Sequence, residues 1–131
     1  MEQETPDRIR IGISHGDING ISYEIIINTL QDQRLLDNVT VIVYGCSKVA
    51  SYYRKIMNLE SFNFNIIKKP EQAHPRRPNI INIIDQEVKI EMGSVTSIAG
   101  ELAFQSLEMA MNDLLEGKID VLITAPISKQ N

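Results

Sequence analysis

This chain of 131 residues contains one cysteine, two histidines and no long apolar run. Because Cys46 stands alone, the chain can form neither an internal disulfide nor a zinc site with several cysteine ligands, and a reducing, cytoplasmic setting fits. The longest unbroken apolar stretches, such as 25–27 and 41–44, are far shorter than the ~18 residues that cross a bilayer. The sequence therefore predicts neither a disulfide-bonded exported protein nor a membrane span.

The sequence also has no excess of positive charge. The 13 basic and 17 acidic residues give a net charge of −4, which has the wrong sign for binding nucleic acid through its phosphates. The first seven residues are polar and acidic, so they lack the basic and apolar regions of a signal peptide. With 43% apolar and 23% charged residues, the composition predicts one globular domain, or part of a larger one.

The hydrophobic pattern predicts strands that alternate with helices. The predicted strands are 9–13, 39–44, 64–67, 80–84 and 121–124, and the predicted helices are 21–30, 47–57 and 97–116. Strand runs that are apolar on both faces indicate a parallel sheet with helices on both sides. The predicted fold is thus a three-layer α/β region that spans residues 1–131.

Three further expectations concern particular segments. Helical spacing places on the apolar side of helix 21–30 the residues Ile21, Ile25, Thr29 and Leu30. Three prolines between 70 and 78 predict a loop without regular structure.

Helix 97–116, which Gly117 ends, has a polar stripe that includes Glu101 and Gln105. Its apolar surface is wider than one sheet requires, so we expect the side with Phe104, Met111 and Leu115 to contact a second domain or subunit.

The loop 16–20, Gly-Asp-Ile-Asn-Gly, is the first segment that could carry chemistry. It joins a strand to a helix, where backbone amides could receive an anion. It is neither a G-x-G-x-x-G nor a Walker A loop, and its alternative interpretation is a turn in which Asp17 or Asn19 caps the helix. His15 lies beside it, and a lone histidine is more often a hydrogen-bonded structural residue than a catalyst.

The segment 124–129 after the last strand is the second candidate. Ligands of open α/β sheets gather outside the carboxyl ends of the strands, so Lys129 could bind a phosphate or carboxylate; a solvated lysine in a strand-to-helix turn is an equal alternative. The hydroxyl-rich turn 93–97 suggests a helix cap at Ser97. Four other cations are interpreted as part of a solvated loop surface: Lys68, Lys69, Arg76 and Arg77.

A family resemblance rests on these same segments. Residues 16–24 resemble the G-D-P-A-G-I-G-P-E signature of the 4-hydroxythreonine-4-phosphate dehydrogenases of pyridoxal phosphate biosynthesis. Residues 117–129 resemble the family's g-x-i-D-a-l-v-T-a-P-i-s-K segment, preceded in order by Gly93-Ser94, Gly100, Ala103, Leu107 and Ala110. The first match departs from the signature at 18–19 and at 22–23. Those departures leave open a related sugar-acid dehydrogenase that acts on threonate or erythronate 4-phosphate.

The resemblance implies the N-terminal portion of a longer two-domain dehydrogenase with an isocitrate/isopropylmalate-dehydrogenase-like fold, incomplete in this chain. It further implies a homodimer when complete, with active sites at the subunit interface, and NAD-dependent oxidation of 4-phosphooxy-L-threonine. A divalent metal would polarise the substrate hydroxyl and the resulting ketone. The family's metal-binding histidines and its Gly-His-Thr-Glu substrate motif lie beyond the residues present here.

By the same resemblance, Asp17, Thr124 and Lys129 are expected to line the substrate cleft. No catalytic or metal-binding residue is assigned in this chain, and its contacts with NAD are left unassigned, so we expect this part to be inactive alone. A hypothesis from another class is a non-catalytic α/β module that binds a small anion or a protein partner through the same loops.

Overall fold

The computed structural model describes residues 8–16, 22–59, 61–83 and 97–125. The strands are β1 (Arg10–Ser14), β2 (Thr40–Gly45), β3 (Asn65–Ile67), β4 (Asn79–Asn82) and β5 (Val121–Thr124). The helices are α1 (Ser22–Leu30), α2 (Gln33–Asn38), α3 (Ser47–Ile56) and α4 (Ser97–Leu115). All strand pairs are parallel, and the strand order is β3-β4-β2-β1-β5.

Helices cover both faces of this sheet, which confirms the predicted three layers. Successive side chains of a strand point to opposite faces. Val41 and Val43 of β2 therefore pack with the buried residues of α1, α2 and α3, whereas Ile42 and Tyr44 pack with Ala110 of α4. The central strand β2 is buried along its whole length, as a strand between two helical layers should be. No helix in the described part of the chain has the length and apolarity that a bilayer crossing requires.

Helix α1 lies where it was predicted, and Leu30 is buried as predicted, but the prediction was wrong for two other residues of its apolar side. Ile25 is 41% exposed and Thr29 is exposed, while Ile21 lies outside the described residues. The buried residues are Ser22, Tyr23, Ile26, Ile27 and Leu30. Tyr23 decides the orientation, because its ring stacks on that of Tyr53 from α3 at a centroid distance of 6.1 Å. In α3, Val49 and Tyr53 are buried, whereas Tyr52 and Ile56 are exposed.

Two short elements were not predicted. Helix α2 begins after Asp32, whose carboxylate accepts the N–H of Arg34 at 3.0 Å, and it ends where the N–H of Val39 donates to the carbonyl of Leu35. A single 3₁₀ turn, Pro70–Gln72, corrects the expectation that this whole loop lacks regular structure. Proline is compatible with the first position of a helical turn, since that N–H has no partner within the turn.

Asn79 fixes the remainder of the proline loop. It is fully buried at the start of β4, and its amide nitrogen lies within 2.9 Å of the carbonyl oxygens of Val41, His74 and Arg77. Its amide oxygen accepts the N–H of His74. The loop cations Lys68, Lys69, Arg76 and Arg77 are exposed, which agrees with a solvated loop surface.

Helix α4 ends at Leu115. Two residues further on, Gly117 has a φ of +79°, a left-handed conformation that glycine adopts without strain. The outer side of α4 exposes Phe104 by 62% and Leu115 by 79%. Strand β5, at the edge of the sheet, exposes Val121 and Ile123 as well. The isolated chain therefore carries apolar surface on α4 and along β5.

We expect the isolated chain to self-associate through this surface, because exposed apolar patches favour contact with other proteins. Sedimentation velocity over a range of concentrations should show growing oligomers. The double variant Phe104→Gln/Leu115→Gln should sediment closer to a monomer, whereas Glu108→Gln, at an exposed polar position of the same helix, should behave as the parent. A parent that remains monomeric at high concentration and binds no hydrophobic dye would contradict the expectation.

Candidate functional site

The fold places side by side the ends of the two strands that precede the segments that the sequence singled out. Strand β5 pairs with β1 in a register that places Thr124 beside Ser14. The pairing continues one residue further, because the N–H of Ala125 donates to the carbonyl of Ser14 at 3.0 Å. The residues that follow β1 and those that follow β5 therefore leave neighbouring strands at the same edge of the sheet.

The strand order reverses direction at this edge. From β1 the chain continues through α1 to β2 on one side, while β5 lies on the other side of β1. Helix α1 packs on one face of the sheet and α4 on the opposite face. In open α/β sheets ligands bind outside the carboxyl ends of the strands, where the strand order reverses direction. The junction of β1 and β5 is such a position.

Of the three residues predicted to line the cleft, the structure describes one. Thr124 ends β5 and is exposed at this edge, and its role in a cleft stays a prediction. Asp17 and Lys129 lie outside the described residues, as does most of the hydroxyl-rich turn 93–97, so their roles stay predictions. Thr124 is thus the one predicted cleft residue whose position the structure gives.

His15 is a structural residue, as the sequence favoured. It is 1% exposed; its Nδ1 lies 2.6 Å from the hydroxyl of Tyr23 and its Nε2 lies 3.1 Å from the carbonyl of Leu102. A carbonyl only accepts hydrogen bonds, so Nε2 carries the proton and Nδ1 accepts from Tyr23. The Tyr23 hydroxyl in turn accepts the N–H of Cys46 at 2.8 Å. This network is fully satisfied with a neutral imidazole.

Burial also keeps His15 neutral, lowering its pKa from 6.5 to about 4. A protonated ring would present an N–H to the Tyr23 hydroxyl and leave that hydroxyl's own hydrogen without an acceptor. Both ring nitrogens are therefore engaged in hydrogen bonds inside the protein. His15 is available neither as a metal ligand nor as a general base.

The sequence did not reveal that Ser22 and Tyr23, the second departure from the family signature, build this part of the site. The hydroxyl of Ser22 accepts the N–H of Gly16 at 2.7 Å, so it joins the two described ends of the loop that contains Asp17. Tyr23 holds His15 at the same place. The signal was present in the residue types, since both carry hydroxyls that need partners when buried.

Ser106 of α4 completes the edge from the opposite face. It is fully buried; its hydroxyl accepts the N–H of His15 at 2.9 Å and donates to the carbonyl of Tyr44. The direct bond from His15 to that carbonyl is long, at 3.4 Å. A side chain of α4 thus links β1 and β2 where their direct pairing weakens.

Gly45 leaves the space that the Tyr23 hydroxyl occupies, because a Cβ at this position would overlap that oxygen. We expect Gly45→Ala to lower the free energy of unfolding in urea by about 1–3 kcal/mol, as overpacking does. In a Tyr23→Phe background, which lacks the oxygen, the same substitution should cost less, with a coupling energy of about 1 kcal/mol or more. In a Tyr52→Phe background, where the ring is partly exposed, its cost should be unchanged; equal costs in all three backgrounds would refute the contact.

The lowered pKa of His15 predicts a pH dependence of stability. The unfolded chain binds the proton with a pKa near 6.5 and the folded chain only near 4, so the contribution to stability is fully present above pH 6.5. It is lost as the pH falls from 6.5 to 4, by up to roughly 3 kcal/mol. Urea unfolding at pH 7 and pH 4.5 should show a smaller loss for His15→Gln than for the parent. His74→Gln, at an exposed histidine, should match the parent; a parent-like loss in His15→Gln would contradict the assignment.

Neither a metal cluster nor an open phosphate site at the start of α3 is found among the described residues. In those ranges, no three His, Cys, Asp or Glu side chains come together in a way that could hold an ion. Backbone amides at the start of α3 could in principle receive a phosphate. However, the N–H groups of Cys46 and Ser47 are already bound by the Tyr23 hydroxyl and the Asn82 side chain. No residue of the described part is assigned to a metal or to NAD.

Fold and edge together define a parallel three-layer α/β protein with a candidate substrate crevice at the carboxyl ends of β1 and β5. A family profile described as pyridoxal phosphate biosynthetic protein PdxA matches residues 37–131. The chain belongs to this family, which confirms the resemblance.

The relatives agree in sequence and in structure. The chain is 43% identical to a 4-hydroxythreonine-4-phosphate dehydrogenase of Bacteroides thetaiotaomicron, over 94% of this chain and 34% of that protein. It is 33% identical to a protein provisionally named D-threonate 4-phosphate dehydrogenase of Oceanobacillus iheyensis, over 92% and 37%. The crystal structure of a 4-hydroxythreonine-4-phosphate dehydrogenase from Burkholderia phymatum superimposes with a TM-score of 0.81 and 25% identity, covering 95% of this chain and 38% of that one. The chain therefore spans little more than a third of the length of these relatives.

Proposed function

We propose that this chain supplies part of the substrate crevice of an NAD-dependent 4-hydroxythreonine-4-phosphate dehydrogenase. The observation that carries the proposal is the register of β1 with β5, which puts the two motif-bearing segments at one edge of the sheet. The higher identity to the 4-hydroxythreonine-4-phosphate enzyme than to the threonate relative, 43% against 33%, favours this substrate. Threonate or erythronate 4-phosphate is the second candidate, because it shares the phosphate and the hydroxy acid carbon chain.

Each predicted cleft residue has a role in this proposal. Lys129 neutralises negative charge on the substrate through charge-assisted hydrogen bonds, and the Thr124 hydroxyl donates to or accepts from the same molecule. Asp17 accepts a hydrogen bond from a donor on the substrate. In the reaction a hydride passes from the carbon that bears the hydroxyl to NAD⁺, and the hydroxyl proton passes to a base. Residues outside this chain supply that base.

The remaining features of the proposed enzyme also rest on the family. This chain is the N-terminal portion of a longer two-domain protein that acts in the cytoplasm as a homodimer. A divalent metal, when bound to the complete enzyme, supplies Lewis-acid polarisation of the substrate oxygen. By the family resemblance, its ligands belong to other parts of the enzyme. The lone, free Cys46 is compatible with a reducing compartment.

A chimera tests the proposal and separates it from a non-catalytic binding module. This chain replaces the matching third of the Bacteroides thetaiotaomicron relative. We expect a chimera that unfolds cooperatively to reduce NAD⁺ with 4-phosphooxy-L-threonine and a divalent metal, whereas the chain alone should show no turnover. A cooperatively folded chimera without activity would favour the non-catalytic module, and turnover by the chain alone would refute the requirement for completion.

Within this chimera Lys129→Met should reduce kcat/KM by the free energy of a charged contact, about 1.5–3 kcal/mol. Its thermal stability should change little, because surface substitutions alter the free energy of unfolding by about ±0.5 kcal/mol. Steady-state rates of NADH formation give the comparison. Lys48→Met, at an exposed lysine of α3, is the matched control. Kinetics within error of the parent for Lys129→Met would remove this lysine from the site.

A further inference from the structure

A groove runs between helix α3 and the chain segment 62–66, which leads into β3. Its volume is about 290 Å³, close to the lower end of the ~300–1,000 Å³ that small-molecule sites enclose. The groove includes Ile66 of β3, and β3 stands at the opposite end of the strand order from β5. The candidate substrate crevice, at the junction of β1 and β5, therefore does not account for this groove.

One wall of the groove is a polar side of α3. Ser47, Ala50, Ser51 and Arg54 line it, and their spacing places them on the same side of a helix. Ala50 is buried, whereas the two serines and Arg54 are half-buried. The short side chains leave room beside the helix, and Arg54 supplies a positive charge in its last turn.

The segment 62–66 forms the other wall, which is mainly aromatic. Phe62 and Phe64 meet edge to face, with a centroid distance of 5.2 Å and an interplanar angle of 88°. Both rings pack against the buried core, yet both stay partly exposed and line the groove. They therefore offer a ligand the surface on which another flat ring packs favourably.

The charge of the groove has one sign. Lys48 and Arg54 line it, and none of the described lining residues is acidic, although the whole chain has a net charge of −4. A guanidinium has five N–H donors, so Arg54 can bind a ligand in addition to protein atoms. The electrostatic complement of this groove is an anion.

The two walls together select a ligand with a flat apolar ring and an anionic group. The first backbone amides of α3, which would suit a phosphate, are already bound within the protein, so side chains must hold the anion. The planar fork of an arginine matches a carboxylate through two parallel hydrogen bonds. We propose that the groove binds a small aromatic carboxylate, whose carboxylate pairs with Arg54 and Ser51 and whose ring lies against Phe62 and Phe64. This site is independent of the proposed function.

Titrations of the 131-residue chain with three probes test the proposal. Benzoate carries the ring and the carboxylate, acetate only the carboxylate, and benzyl alcohol only the ring. We expect benzoate to shift the amide NMR signals of α3 and of residues 62–66, and to bind about tenfold or more tightly than either half, since both walls contribute. Equal affinity for acetate or for benzyl alcohol would overturn the proposal. Tighter binding of phenyl phosphate than of benzoate would overturn the assignment of a carboxylate.

Substitutions in the groove separate the two walls. Arg54→Gln should weaken benzoate binding about tenfold or more, because it removes a charge-assisted hydrogen bond. Phe62→Leu should weaken benzoate but leave the affinity for acetate unchanged. Arg76→Gln, at an exposed arginine outside the groove, should match the parent. Cooperative urea unfolding verifies each fold, and Ser51→Ala, with an expected loss of two- to tenfold, replaces Arg54→Gln if that variant does not fold. Parent-like affinity for benzoate in the folded groove variants would overturn the proposal.

The exposed apolar surface of α4 is another place where an aromatic probe could bind. The double variant Phe104→Gln/Leu115→Gln removes two exposed apolar side chains of that surface and should bind benzoate with the parent affinity. Its benzoate-dependent shifts should remain in α3 and in residues 62–66. Loss of binding in this variant, with binding retained in Arg54→Gln, would assign the probe to α4 and overturn the proposal.

Discussion

The hydroxyl of Tyr23 is the interaction on which the functional edge depends. It donates to His15 at the end of β1 and accepts from Cys46 at the end of β2, and it occupies the space that Gly45 leaves open. One oxygen atom thereby fixes the orientation of α1 relative to two neighbouring strands. The Tyr23 hydroxyl is buried, so a change in any of its partners would leave a polar group without a hydrogen bond. The free-energy cost of that unsatisfied group exceeds the stabilisation that the bond provides.

This arrangement explains how the chain departs from the family signature without losing the family fold. Where the signature has glycine and proline, this chain has Ser22 and Tyr23, and both side chains bond to backbone or side-chain atoms at the carboxyl edge. The superposition on the Burkholderia phymatum structure, with a TM-score of 0.81 at 25% identity, shows that the surrounding sheet is retained. At these two positions the signature has residues without polar side chains. This chain instead has side chains that form hydrogen bonds.

Much of the fold could be predicted because the strands are dense in β-branched residues and the long helices are periodic. The buried side of α1 could not be, since three consecutive isoleucines, 25–27, satisfy more than one helical stripe; the partners of Tyr23 decide among them. Helix α2 was not predicted because six residues are too few to show a helical periodicity, although Asp32 is a strong cap. The two candidate segments were visible in the sequence, but the pairing of β1 with β5 was not, because residues 11–14 and 121–124 lie far apart in the chain.

Stability and function are joined at the edge strand. Val121 and Ile123 of β5 are exposed by 42% and 47%, and β5 ends at Thr124, where the crevice begins. An open, apolar edge strand favours pairing with further polypeptide. Polypeptide that pairs with this edge lies beside Thr124, the last residue of β5, and so next to the candidate crevice. Contacts that remove this apolar surface from water therefore also lie next to the candidate crevice.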